Sequence, residues 1–111
     1  MDTTRQQKIA RLIQKELGDI FLHYARTYQG LLITVSEVRI TPDLSICRCY
    51  LSIFPTERAE EMIHQIEQDT RSLRGELGNR VRHQLRIIPE LNFYLDDTLN
   101  QLQHIDNLLH Q

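Results

Sequence analysis

Residues Leu73 to Leu95 read LRGELGNRVRHQLRIIPELNFYL, and two periods meet inside them. Leu73, Leu77, Val81 and Leu85 recur at steps of four, the spacing of one helical face. Leu91, Phe93 and Leu95 alternate, the spacing of a strand buried on one side. Pro89 predicts an edge position or a bulge near the start of that strand, which is expected over Arg86 to Asp96. The helical half also concentrates charge. Arg71, Arg74, Arg80, Arg82 and Arg86 fall within sixteen residues, opposed there only by Glu76, and no Lys or Arg follows Arg86.

Upstream, Ala59, Met62, Ile63 and Ile66 mark another helix. Thr56 is its predicted cap, with Glu57, Glu60 and Glu61 in the first turns, where the helix dipole favours acids. The apolar pattern thins from Gln68 to Ser72, so two consecutive helices are expected, with a break near Asp69 to Ser72. Before them, ICRCYLSIF (Ile46 to Phe54) is the clearest strand. Cys47, Cys49, Leu51 and Ile53 share one face, and Arg48, Tyr50 and Ser52 the other. TPDLS (Thr41 to Ser45) carries turn chemistry, with Asp43 as a turn residue. In LLITVSEVRIT the apolar phase changes between Val35 and Val38, which predicts a bulged strand.

The first helix is expected over Thr4 to Tyr28, capped by Thr3 or Thr4. Its apolar stripe is Ile9, Leu12, Ile13, Leu17, Ile20, Phe21 and Tyr24. Arg5, Lys8, Arg11 and Lys15 lie off the stripe and form a basic edge. Downstream of Leu95, Leu99, Leu102, Ile105, Leu108 and Leu109 suggest a short C-terminal helix. The order is α–β–β–α–α–β with an extra α: an α+β domain with helices on one face of a three-stranded sheet, over residues 1–111. The other sheet face is left for solvent or a partner.

The 111 residues fit one domain, and an apolar content of 41% with 25% charged residues is ordinary for a folded chain. No stretch approaches a membrane span, and the charged N-terminus does not resemble a secretory signal, so a cytoplasmic location is expected. Cys47 and Cys49, two apart on a strand, are poorly placed to bridge each other and read as small buried thiols in a reducing compartment. The histidines are scattered without ligand spacing, so no metal site and no cofactor are expected. No catalytic triad, phosphate loop or paired acid–base set emerges from the spacing, so no enzymatic activity and no small-molecule substrate are expected.

Charge is polarised on a chain of net charge −2. A solvated arginine-rich helix would account for the basic cluster from composition alone. The sharper reading is a phosphate-binding edge made by Arg71, Arg74, Arg80, Arg82 and Arg86 with Arg5, Lys8 and Arg11. Arginine's planar fork suits phosphate and base stacking, which tilts the reading toward RNA. Aromatics are too few for a stacking platform of the RRM kind, although Tyr50 and Tyr94 share the outward strand phase. GELG (Gly75 to Gly78) is a literal GxxG, the backbone clamp of KH domains. Leu77 on the apolar stripe and the negative Glu76 favour helix packing instead.

These residues together resemble the ribosome-binding factor A family of bacterial assembly factors. Arg5, Lys8, Ile9 and Glu16 fit its opening helix. Val38 to Leu44 and Tyr50 to Pro55 resemble its hairpin. Leu73-Arg74, Leu77-Gly78, Val81-Arg82 and the run Arg86-Ile-Ile-Pro89-Glu90-Leu91-Asn-Phe93 resemble its third helix and last strand. The resemblance implies a type-II KH-like fold and binding to the small ribosomal subunit and its rRNA during late maturation and rRNA processing. It also implies a role in cold adaptation and no catalysis. A monomer is expected. The family's Ala-x-Gly kink aligns with Asp69-Thr70-Arg71, so both small residues are missing here. A protein-interaction module of the same fold, working through its open sheet face, is the competing expectation.

Overall fold

The structure, a computed structural model, describes residues 3–96. Helix α1 spans Thr4–Arg26, strand β1 Leu32–Ile40 and strand β2 Ile46–Phe54. A 3-10 turn, Thr56–Arg58, leads into α2 (Ala59–Gln68), followed by α3 (Thr70–Val81) and β3 (Glu90–Leu95). The sheet runs in the order β1-β2-β3, with β1 antiparallel and β3 parallel to β2. A parallel neighbour requires a crossover, and α2 with α3 supplies it. The expected C-terminal helix lies outside the described residues.

Thr3 caps α1. Its hydroxyl accepts from the Gln6 backbone N–H at 3.1 Å, while the Gln6 side chain accepts from the Thr3 N–H at 2.9 Å. Ile13, Leu17, Ile20 and Phe21 are fully buried against the sheet, where Cys47, Cys49 and Leu51 meet them. Met62, Ile63 and Ile66 of α2, and Leu73, Leu77 and Val81 of α3, complete the core. Phe21 meets Phe93 edge-on at 5.6 Å between ring centres, tying the first helix to the last strand. Cys47 and Cys49 sit side by side in this core with their sulfurs 3.7 Å apart, and the shared contact and burial push the Cys49 thiol pKa up.

The β1–β2 register slips between Val35 and Glu37, at the phase change in the sequence. The bulge lets Val35 and Val38 both face the helices. Gln14 of α1 donates to the carbonyls of Val35 (3.1 Å) and Ser36 (3.4 Å), and Gln6 to that of Ile40 (3.1 Å). The α2–α3 break narrows to Asp69. Its carboxylate accepts from the Tyr24 hydroxyl at 2.7 Å and from Gln65 Nε2 at 3.1 Å, and these bonds, Tyr24's foremost, hold its pKa below the ordinary range. Thr70 returns its hydroxyl to the Ile66 carbonyl at 3.1 Å. Hydrogen-bonding side chains therefore stabilise the junction at Asp69-Thr70.

Three local expectations change. Thr56 does not cap α2: it opens the 3-10 turn, Pro55 stands at the N-cap, and no side-chain bond closes it. The first helix ends at Arg26 rather than Tyr28, and Gly30 turns the chain with φ of 72°. The last strand begins at Glu90 rather than Arg86 because α3 stops at Val81 and the chain loops through Leu85 to a buried Pro89.

Candidate nucleic-acid interface

α3 runs antiparallel to α1. Its first end meets α1 through Tyr24 and Asp69, and its last turn through Arg80, which donates to Asp19 at 2.6 Å and lies 3.5 Å from Glu16. The loop after α3 therefore arrives at the N-terminus of α1. A groove of about 640 Å³ opens there, between Arg5, Lys8 and Ile9 of α1, Asp43 and Leu44 of the β1–β2 turn, and the Leu85–Pro89 loop. Its floor is aliphatic: Ile9, Ile40, Leu44 and Leu85, with Ile87 projecting at 77% exposure.

Three of the cations expected at a phosphate-binding edge, Arg5, Lys8 and Arg86, line this groove from two distant parts of the chain. Arg11 is exposed about one turn further along α1, and Arg82 is exposed at the C-cap of α3. Arg71 is exposed in the first turn of α3, at the opposite end of that helix. Asp43 is the anion of the groove, but it serves the turn. Its Oδ1 accepts from Thr41 Oγ1 (2.7 Å), Ser45 Oγ (2.8 Å) and the Ser45 N–H (3.2 Å), and these bonds lower its pKa. The turn also holds Leu44 at φ of 63°, unusual for a non-glycine residue, on the groove wall.

Arg74 and Arg80 do different work. Arg74 donates to the carbonyls of Pro89 (3.0 Å) and Ile88 (2.6 Å), and so fixes the loop that carries Arg86. Arg80 joins α3 to α1. Its bond to Asp19 lowers the carboxyl pKa and raises that of the guanidinium. GELG lies wholly inside α3, not in a loop between helices. A side chain at Gly78 would meet Ile88 Cγ1 at 3.4 Å, so Gly78 gives close packing, whereas nothing lies within 4 Å of the corresponding position on Gly75. The groove floor had no signature in the sequence, since its members come from separate segments.

The family profile of ribosome-binding factor A matches residues 5–109. The chain belongs to the ribosome-binding factor A family. The family member of Cytophaga hutchinsonii is 46% identical over 98% of this chain and 83% of its own length. That of Christiangramia forsetii is 45% identical over 95% and 82%. Among solved structures, the crystal structure of ribosome-binding factor A from Thermus thermophilus matches with a TM-score of 0.68 at 23% identity, covering 81% of this chain and 94% of that one. A homology model of the Thermus thermophilus factor, fitted into a cryo-EM map of a 30S complex, matches with a TM-score of 0.59 at 24% identity, over 87% and 97%. These two likenesses concern the fold.

Proposed function

We propose that this chain binds the small ribosomal subunit during its late maturation, including the stage of rRNA processing, without catalysing a reaction. The contact is to rRNA phosphates through the groove edge, with Arg5, Lys8 and Arg86 at its centre and Arg11 and Arg82 beside them. The observation that carries this reading is the convergence of those three cations on one groove in a member of the ribosome-binding factor A family. Arg74 and Arg80 support the edge by fixing the loop and helix behind it. A bound subunit would act in the cytoplasm, and a monomer suffices, since the edge is built within one chain. Among the described residues no helix is long and apolar enough to cross a membrane.

Phosphate binding releases counterions, so affinity falls with salt, and each contact adds to the slope. Purified small subunits should be titrated with the wild type and with the Arg5→Glu, Lys8→Glu, Arg86→Glu triple variant across a salt series. We expect a loss of more than about tenfold in affinity at low salt, and a salt slope shallower by about three. Unchanged affinity and slope in a folded triple variant would exclude this edge as the RNA contact.

A further inference from the structure

The sheet face turned away from the helices carries a feature that the groove does not explain. Tyr50 of β2 and Tyr94 of β3 are register partners, and their rings stack with centres 5.4 Å apart and planes at 28°. Tyr94 is 43% exposed. β3 is an edge strand, and among the described residues no strand lies beyond it, so the outer face of the Tyr94 ring has no strand beside it. The next row across the sheet is Arg39, Arg48 and Asn92. Arg39 bonds Glu37 at 2.9 Å, while Arg48 is exposed with no carboxylate partner among the described residues. On the other side of the rings stand Thr34 and Ser52.

We propose that this open face is a second nucleic-acid contact, where a single-stranded RNA segment stacks a base on the outer ring of the Tyr50–Tyr94 pair and sets a phosphate against Arg48. A cross-strand aromatic pair by itself contributes modestly to a sheet and needs no exposed ring. Here the pair ends at an edge, one row from the exposed Arg48 guanidinium, a combination that suits successive bases and their backbone. A protein-docking core would be ringed by further apolar side chains. The neighbours of these rings are instead polar: Glu37, the register partner of Tyr50, is held by Arg39 at 2.9 Å, hydroxyl, amide and guanidinium groups fill the rows on either side, and Glu90 lies two rows away. Leu32 and Phe54, the exposed apolar pair of this face, sit beyond the Thr34–Ser52 row. Inside a duplex each base face is covered by its neighbours, so the ligand is an unpaired segment.

The chain has four tyrosines and no tryptophan, so its intrinsic fluorescence is tyrosine emission, and a stacked base quenches it. Short uridine and adenine oligoribonucleotides should quench that emission, and a long blunt-ended RNA duplex at the same nucleotide concentration, with its base faces covered except at the two ends, should quench far less. Tyr94→Ala should weaken oligonucleotide binding about 5- to 100-fold, the range of one base–aromatic stack, while Tyr94→Phe keeps most of it. Arg48→Gln should flatten the salt dependence by about one contact. On purified small subunits, a photocrosslinker at position 94 should join rRNA. The proposal is overturned if folded Tyr94→Ala binds and is quenched like the wild type, or if the crosslink runs only to a ribosomal protein. The groove-edge triple variant reads the other surface separately, because it leaves Tyr50, Tyr94 and Arg48 in place.

Discussion

Two parts of the basic edge look alike in the sequence and differ in the fold. In the middle and last turn of α3, Arg74 and Arg80 bond to protein: two loop carbonyls in one case, two carboxylates of α1 in the other. At the N-terminus of α1 and the loop before β3, Arg5, Lys8 and Arg86 surround an open groove. A count of arginines does not separate these classes. The distinction is which cations have a partner among the described residues, and on the function proposed above it divides the edge into a scaffold and a contact surface.

Substitutions can break that division if it is wrong. The largest effect should follow Arg74→Ala, which leaves the Ile88 and Pro89 carbonyls without their charged donor. Hydrogen bonds to charged groups contribute about 1.5–3 kcal/mol, so denaturant unfolding should show a loss in that range, with weaker subunit binding as the Arg86 loop loosens. Retained stability together with lost binding would move Arg74 into the contact. Next comes Gly75→Ala, in an exposed helix interior with open space around it, which should raise stability by about 0.5–1 kcal/mol and leave binding unchanged. Gly78→Ala should gain less or lose, because Ile88 lies 3.4 Å from the new side chain. A binding defect in Gly75→Ala would restore GELG as a nucleic-acid clamp.

The smallest effect belongs to Arg80→Ala, a partly exposed ion pair, and should be a drop of a few degrees in Tm. Its pH dependence has a definite sign. Asp19 is held below its ordinary value of about 3.8 by Arg80, so the stabilisation is full above that value and is lost as pH falls through the lower folded pKa. Melting curves of wild type and Arg80→Ala should therefore be separated at neutral pH and converge in strong acid. Curves that stay equally separated in acid would show that Arg80 acts through packing.

Much of this architecture was legible because periodicity is a local signal. The α1 stripe, the alternation of Cys47, Cys49, Leu51 and Ile53, and the phase change that becomes the Val35–Glu37 bulge follow from neighbouring residues. The α2–α3 break was visible where apolar residues thin out, and the structure narrows it to Asp69. What the sequence left dark depends on return contacts. Nothing near Arg74 announces that the Ile88 and Pro89 carbonyls will come back to it. Leu85 keeps the helical step of four yet falls beyond α3, because the chain must turn to reach Pro89. Thr56 has the chemistry of a cap, but the 3-10 turn after Pro55 moves the start of α2 past it. Tyr50 and Tyr94 share a strand phase in the sequence, but their pairing depends on the parallel register across two intervening helices.

The glutamines of α1 have a consequence for how this protein behaves in a crowd. Among the described residues β1 is an edge strand, and an edge strand offers hydrogen-bonding groups to any other chain that comes alongside. Gln14 takes up the carbonyls of Val35 and Ser36 at the bulge, and Gln6 takes up that of Ile40 at the end of the strand. The helix thus blunts the edge at two points along its length, and the bulge twists the rest out of register with a flat partner. Replacing Gln14 with Leu would keep the helix and its stripe but free those carbonyls. Such a chain should fold, and then aggregate at concentrations where the wild type stays dispersed.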